Sequence, residues 1–309
     1  DAVMISPATA AGNKTNPVGT GPFNFKNWAK GDRVELVRNP DYWGTPAKLA
    51  AVTFRFVSDP SAATAAMLAG DIDAFPLFPA AEAVAQFKAN PKLTVKIGVT
   101  QGKTIMSLNN AKKPFDDVRV RRALAHAIDR KQLLDAIYSG YGQVIGSHYS
   151  PNDPGFVDLS NTYPYDPEKA KALLKEARIA PGTEITITLP PPAYARRGGE
   201  VIAAFLQQVG LNAKLVPVEF AQWLDQVFKR SEFDATIISR TEARDIEIYA
   251  RDKYYFNYAN ADFKLLYKAY TEETDHEKRN ELAQKIQRKL DEEEPNVFLF
   301  QLPKICVWN

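Results

Sequence analysis

Residues 109–138 of the chain, NNAKKPFDDVRVRRALAHAIDRKQLLDAIY, carry the clearest helical pattern in the sequence. Pro114 favours an extended approach, and Asp116 or Asp117 offers a carboxylate to the free amides of a helix start. The pattern predicts one long amphipathic helix that begins near Val118 and ends at Ser139-Gly140. Its apolar positions at helical spacing are Val120, Leu124, Ala127, Ile128, Leu134 and Ile137. Its charges, expected mostly on the wetter sides, are Arg119, Arg121, Arg122 and Arg130.

Composition excludes several classes of protein. The chain has 309 residues, of which 45% are apolar, so it can form one large domain or two ordinary ones. A net charge of +2 without a basic stripe argues against a nucleic-acid partner, and no apolar run is long enough to span a membrane. A single cysteine, Cys306, excludes an internal disulfide, and three histidines are too few for a Cys/His zinc site.

On both sides of the quoted stretch, strands and helices alternate. On the N-terminal side, a hairpin around Lys30-Gly31-Asp32 is followed by the strand VTFRFVS, a helix closed by Gly70 and the strand DIDAFPLF. On the C-terminal side, residues 183–240 again alternate strand, helix and strand. Two helices then fill residues 261–294, and the chain ends in extended segments. This order predicts an α/β fold in both halves of the chain, without internal repeats.

Several motifs, in a fixed order, carry a family resemblance. They are VGTGPF at 18–23, WxxGD and RNPDYW at 28–43, MLAGDIDAF at 67–75, PFDDVRVRRALAHAIDR at 114–130, SGYG at 139–142, YDPEKAKALLKEA at 165–177 and LQQVGLNAKL at 206–215. Together they closely resemble the extracellular solute-binding proteins of the peptide/nickel class, family 5, which are the substrate-binding components of ABC importers. The resemblance covers nearly the whole chain.

The resemblance implies a two-lobed, periplasmic-binding-protein-like α/β fold. Residues 1–108 form a partial first lobe to which residues 304–309 return, and residues 109–303 form the second lobe. Relatives look longer at both ends, so the chain is expected to be an internal fragment without its export signal and extreme C-terminus. We expect a periplasmic protein, or an extracellular one tethered to the membrane. It would be a monomer that dimerises through an exposed sheet edge if its first lobe is incomplete.

The candidate site follows a predicted buried strand, at residues 239–263, SRTEARDIEIYARDKYYFNYANADF. Ligands bind beyond the carboxyl ends of strands in open α/β sheets, and this stretch combines charges with tyrosines. Asp245 or Glu242 is expected to hold a cation and Arg240 a carboxylate. The proposed ligand-binding residues here are Arg240, Thr241, Glu242, Asp245 and Tyr249, in a segment that also contains Arg244 and Tyr254.

The resemblance adds two expectations about this site. It places Lys103, Thr104 and Met106 at or near the cleft between the lobes. Peptide binders of the family commonly carry a Trp followed three residues later by Asp in the 239–263 region, and the carboxylate takes the peptide's amino terminus. That tryptophan is absent here, so simple capture of an α-amine is in doubt.

We therefore predict a receptor that captures a solute, foremost an oligopeptide, without a covalent step and delivers it to the membrane permease of an ABC importer. An oligosaccharide, an opine-like conjugate or a metal chelate remains an alternative ligand. A hydrolase using Asp71 or Glu242, or a ligand-free signalling scaffold, is the alternative of another class. We expect no cofactor and no metal site, because His126, His148 and His276 have no partner at ligand spacing.

Overall fold

The computed structural model describes residues 5–57, 59–242 and 245–309. The chain divides into two compact units, Asp1–Asp73 and Ala74–Asn309, and each is described by itself. The lobe boundaries expected from the sequence stay a prediction.

The first unit contains a three-stranded antiparallel sheet in the order β1-β2-β3. Its elements are β1 (Phe23–Ala29), β2 (Arg33–Arg38), β3 (Ala51–Arg55) and the helix α1 (Pro60–Ala69). Gly31 has a φ of 80°, which only glycine adopts readily, and it closes the hairpin between β1 and β2. The predicted hairpin and the helix that stops at Gly70 are therefore confirmed.

The second unit contains a seven-stranded mixed sheet in the order β4-β10-β5-β9-β7-β8, with β6 also paired to β10. Its strands are β4 (Ala74–Phe75), β5 (Thr94–Leu108), β6 (Gln143–Val144), β7 (Glu184–Leu189), β8 (Asn212–Pro217), β9 (Ala235–Arg240) and β10 (Asn296–Trp308). The strands β7, β8 and β9 are parallel, whereas β5 and β10 run antiparallel to their neighbours. The helix between β7 and β8 is the crossover that this parallel pair requires.

Helices pack on both faces of this sheet. They are α2 (Val84–Ala89), α3 (Val118–Ala127), α4 (Arg130–Tyr138), α5 (Pro167–Glu176), α6 (Ala193–Gln208), α7 (Phe220–Trp223), α8 (Ala261–Glu272) and α9 (His276–Glu293). Side chains alternate along the central strands, so Met106 lies in the core under α3 to α6 while Ile105 lies in an aromatic-rich core on the other face. A sheet buried on both faces accounts for the nearly continuous apolar runs of β9 and β10.

Short acidic or amide side chains define where most helices begin. Each one accepts a hydrogen bond from a backbone amide of the first turn, which satisfies a donor that the helix itself leaves free. Such caps are Asp59, Asp117, Asp129, Asp166, Asn260 and Asp275. The predicted start at Asp117 and the predicted start of α5 after Asp166 are confirmed.

The single long helix predicted for residues 118–138 is wrong, because it is two helices. Ile128 has an extended backbone with φ −101° and ψ 113°, and it ends α3. Asp129 follows, and its carboxylate accepts from the amide of Gln132 to begin α4. The apolar spacing continues across the break, so periodicity alone does not reveal the second cap.

The expectation that the arginines of this region lie on the wetter sides is wrong for two of them. Arg121 is 5% exposed and Arg130 is 8% exposed. Arg121 donates to the backbone carbonyls of Phe115, Glu293 and Glu294. The backbone oxygens that accept from Arg130 belong to Ile145, Phe298, Ser160 and Tyr163. Each guanidinium connects its helix to segments that are distant in the sequence. The spacing of apolar residues along a helix does not indicate such contacts.

A buried carboxyl beside Arg130 gives the protein a testable pH dependence. Burial raises the pKa of Asp291 to about 6, although Thr162 and Arg130 oppose the rise. A folded-state pKa above the unfolded value of about 3.9 adds stability that is full below pH 4 and is lost as the pH rises through 6. We expect Asp291→Asn to stabilise the protein by about 2 kcal/mol at pH 7.5 and to have no such effect at pH 4.

Urea unfolding at both pH values checks this expectation. The matched control is Glu292→Gln, which removes the same charge from a neighbouring side chain that is 62% exposed. This control should leave stability unchanged at either pH. If Asp291→Asn raises the free energy of unfolding equally at pH 4 and pH 7.5, the assignment of the raised pKa to Asp291 is contradicted.

Candidate functional site

The candidate site forms where β9 ends. Arg240 is the last residue of β9, and its Cα partner on the antiparallel strand β5 is Lys103. Directly opposite residues of an antiparallel pair project from the same face, so two cations stand side by side. The 3₁₀ helix Asp245–Tyr249 then brings an acidic residue back to them.

Asp245 is the centre of this arrangement. Its Oδ1 atom lies 3.1 Å from Nζ of Lys103 and 2.9 Å from Nε2 of His148. Its Oδ2 atom accepts from Nε of Arg240 at 2.7 Å. Burial by itself raises the pKa of the Asp245 carboxyl, but the hydrogen bond from His148 and the positive charges of Lys103 and Arg240 outweigh burial and hold that pKa well below its usual range. The carboxylate is therefore ionised and fully engaged by internal donors.

A directed chain of hydrogen bonds continues from Asp245 into the core. Burial lowers the pKa of His148, and the neighbouring Asp245 only partly opposes this, so the imidazole is neutral. Its Nε2–H donates to Asp245, which leaves Nδ1 to accept from the Tyr249 hydroxyl at 3.1 Å. Nδ2 of Asn296 in turn donates to the Tyr249 oxygen at 3.0 Å. At each contact in this chain of hydrogen bonds, one group is thus the donor and the other the acceptor.

The structure brings some of the predicted site residues together and separates others. Lys103, Arg240, Asp245 and Tyr249 all belong to the network, and Lys103 and Tyr249 are buried within it. Alternation along β5 puts Thr104 and Met106 on the opposite face of the sheet, where both are buried. Thr241 and Glu242 are exposed, and Arg244 lies outside the described residues. Direct contact of these residues with a ligand stays a prediction.

Arg240 also reaches the surface. Its Nη2 atom lies 3.5 Å from Oε2 of Glu242, whose side chain is 63% exposed. The guanidinium lies over the ring of Tyr254, with Cζ 5.5 Å from the ring centroid. One edge of this guanidinium is thus fixed by a buried acid and by an aromatic face, while another edge meets solvent.

A row of three aromatic rings adjoins Tyr254, with exposed rings at its two ends and a buried ring, Trp223, between them. Phe220, Trp223 and Phe228 are stacked, with centroid separations of 5.7 Å and 6.2 Å along the row. Phe228 packs edge-on against Tyr254 at 5.8 Å. The row follows β8, and its second half is a π-helix, Leu224–Lys229, a form that is found frequently at functional sites.

Two parts of this site were missed in the sequence. His148 was assigned to a loop without partners, because its partners lie 97 and 101 residues away in the chain. The aromatic row was expected to be an ordinary helix, since a π-helix has no distinct apolar spacing. The only available signal was the three large rings within nine residues that follow a strand, at Phe220, Trp223 and Phe228.

Residues 5–57, 59–242 and 245–309 lack a metal cluster and a membrane-spanning helix. They contain no group of three or more His, Cys, Asp or Glu side chains that could hold a metal ion. Within the same ranges, no helix combines the length and the apolar character needed to cross a membrane.

Comparison with known proteins identifies the family. Residues 3–261 match the family described as bacterial extracellular solute-binding proteins, family 5. The chain belongs to this family. It is 32% identical over 226 residues to the dipeptide-binding protein of Escherichia coli, covering 72% of this chain and 42% of that protein. It is 28% identical over 310 residues to di/tripeptide-binding protein 1 of Pseudomonas aeruginosa, covering 95% of this chain and 57% of that protein.

A solved structure confirms the predicted fold class. The periplasmic binding protein DppA of Helicobacter pylori, in complex with the peptide STSA, superposes with a TM-score of 0.87 at 26% identity. That match covers 99% of this chain and 63% of the solved chain. The chain spans about half the length of the curated relatives it matches. The family and these relatives are binding proteins and are not enzymes.

Proposed function

We propose that this chain is part of a periplasmic receptor that captures an oligopeptide and delivers it to the permease of an ABC importer. Membership of family 5 supports the class of receptor, and the peptide-binding relatives support the class of ligand. Capture is non-covalent, so mass spectrometry should recover an incubated peptide unchanged. We also propose that the receptor is a monomer, which size-exclusion chromatography can test.

The observation that carries this proposal is the environment of Arg240. Its Nε atom is fixed by Asp245, so the planar guanidinium has a defined direction before any ligand arrives. Its Nη2 atom reaches an exposed side chain. A preoriented guanidinium binds a carboxylate with strong charge-assisted hydrogen bonds, and a peptide ends in a carboxylate.

The aromatic row supports a peptide over a small polar anion. Phe220 is 46% exposed and Phe228 is 39% exposed, and they lead away from the Arg240 guanidinium along Tyr254. Rings at a partly open surface offer apolar area at low conformational cost. A ligand that has a carboxylate at one end and apolar side chains beside it fits both features.

The test uses Arg240→Lys. Lysine keeps a positive charge beside Asp245 but lacks the planar fork, so folding should survive while carboxylate binding weakens. Peptides that bind the wild type are first found by thermal shift with a di- and tripeptide library, where ligand at ~100 times its Kd adds about 2.7 kcal/mol of stability. Calorimetry should then show binding about tenfold weaker in Arg240→Lys, the loss of roughly one charge-assisted hydrogen bond.

Two comparisons make this test specific. Arg251→Lys is the matched control, because Arg251 also lies 5.5 Å from the Tyr254 centroid but pairs with the exposed Glu247. This control should leave affinity unchanged. The variant Arg240→Lys should lose nothing toward peptides whose carboxyl terminus is amidated. If the protein binds no peptide at all, the proposed function is refuted. If both variants lose equal affinity for free peptides, the role of Arg240 is refuted.

A further inference from the structure

Arg240 contacts two acidic side chains that differ sharply in environment. Asp245 is 9% exposed and accepts from Nε at 2.7 Å. Glu242 is 63% exposed in its side chain, and Oε2 lies 3.5 Å from Nη2. Charge-assisted N–H···O bonds are usually 2.7–2.9 Å long, so the first contact is a strong hydrogen bond and the second is a loose ion pair. Another anion can therefore replace Glu242 at Arg240 without disturbing buried residues, whereas replacing Asp245 would disturb them.

The backbone around Glu242 is held independently of its side chain. Nζ of Lys103 donates to the backbone carbonyl of Glu242 at 3.0 Å, and Lys103 itself is 1% exposed. The buried lysine therefore fixes where residue 242 leaves the sheet. The carboxylate at the end of the side chain can leave Arg240, because no buried group among residues 5–57, 59–242 and 245–309 holds it.

We propose that Glu242 is an internal competitor, a carboxylate that occupies the ligand position on Arg240 when no ligand is bound and leaves when a ligand carboxylate arrives. The inference rests on the proposed function, since it assumes that Arg240 is the carboxylate-binding residue. Glu242 then prevents Nη2 of Arg240 from binding other anions without selection. It also lowers the affinity for genuine ligands.

The size of this effect follows from the strength of an exposed ion pair. If Glu242 occupies Arg240 in most molecules, apparent affinity falls in proportion to the fraction of molecules in which Arg240 is free. For a pair as loose and exposed as this one, that factor is about two- to fivefold. Removing the carboxylate should therefore strengthen the binding of carboxylate ligands by about two- to fivefold.

The chain offers a matched control for the charge change. Glu247 pairs with Arg251, and the Arg251 guanidinium lies over the same Tyr254 ring as the guanidinium of Arg240. The exposed fractions of this second pair are 49% and 48%. Glu247→Gln thus removes one negative charge from the same surface without freeing Arg240. A general electrostatic effect would appear in both variants, whereas competition appears only in Glu242→Gln.

The first experiment measures the binding of trialanine and of trialanine amide by calorimetry at low salt. Glu242→Gln should bind trialanine about two- to fivefold more tightly than the wild type, and Glu247→Gln should match the wild type. The affinity for the amide should be equal in all three proteins. An unchanged or weaker affinity of Glu242→Gln for trialanine overturns the inference, as does an equal gain in Glu247→Gln. A second variant, Glu242→Ala, should reproduce the gain without a change in Tm.

A second probe separates this inference from the proposed function. Acetate is titrated while the Nε–H resonance of Arg240 is followed by ¹H–¹⁵N NMR. In Glu242→Gln the resonance should respond at about two- to fivefold lower acetate concentration than in the wild type and in Glu247→Gln. If no protein binds trialanine but the acetate shift is seen, peptide capture fails and the inference stands. Equal acetate midpoints in the wild type and Glu242→Gln overturn the inference whatever the peptide result.

Discussion

Replacing Asp245 by alanine should lower the free energy of unfolding by about 3–5 kcal/mol, because it leaves Lys103 and Arg240 buried without their shared counter-ion. Lys103 is 1% exposed, and the Arg240 side chain is 14% exposed. Lys103 cannot reach water without disturbing the sheet, and only a small part of Arg240 does so. The Nε2–H of His148 also loses its acceptor, which adds an unsatisfied buried donor.

Urea unfolding of Asp245→Ala measures this loss, with Asp252→Ala as the control. Asp252 pairs with Lys264, but its side chain is 90% exposed, so its removal should leave the free energy of unfolding nearly unchanged. The pKa of Asp245 is depressed, so its contribution is full above the unfolded value of about 3.9 and falls as the pH drops below it. The gap between wild type and Asp245→Ala should therefore narrow only in strong acid. Equal losses in the two variants at pH 7 would mean that the buried network adds nothing to stability.

Replacing Gly146 by alanine should destabilise the protein by about 3 kcal/mol, at the upper end of the usual cost of overpacking. A Cβ at this position would lie 2.1 Å from the carbonyl carbon of Leu159 and 2.6 Å from the nitrogen of Ser160. These are backbone atoms, so no side-chain rotation can relieve the contact. The loop must shift, and both Ile145 and Ser160 supply carbonyls to Arg130.

The control for this substitution is Gly98→Ala in β5. An alanine Cβ there meets no atom within 4 Å, and Gly98 does not have a positive φ. Alanine also restricts the unfolded chain more than glycine does, so Gly98→Ala should be neutral or slightly stabilising. Thermal unfolding of the two variants makes the comparison. A Tm for Gly146→Ala close to that of Gly98→Ala would show that the loop accommodates the methyl group.

Local signals predicted several elements of both units. The caps at Asp117 and Asp166, the stop at Gly70 and the strand-helix-strand alternation of residues 183–240 depend on neighbours within a few positions, and all appear in the structure. The break at Ile128 was not predicted, because a second cap at Asp129 leaves the apolar spacing intact. The exposure of Arg121 and Arg130 was predicted wrongly for a related reason. Their acceptors are backbone carbonyls, which carry no sequence signature.

The sequence indicated the segment that contains the candidate site, but it did not indicate which side chains pair with each other there. The sequence placed Arg240 and Asp245 in one charged segment after a buried strand, and the structure pairs their side chains, while their contact with a ligand stays a prediction. The pairing of Lys103 with Arg240 depends on the register of β5 against β9, which one sequence does not reveal. His148 and Asn296 come from segments that are far apart in the chain, so their convergence on Tyr249 follows only from the tertiary fold.

The one-way order of the hydrogen bonds from Asn296 through Tyr249 and His148 to Asp245 has a consequence for acid tolerance. A second proton on the imidazole would occupy Nδ1, which accepts from the Tyr249 hydroxyl, and would leave that buried hydroxyl without this acceptor. A fall in pH through the ordinary pKa of histidine, about 6.5, should therefore lower the stability of the second unit.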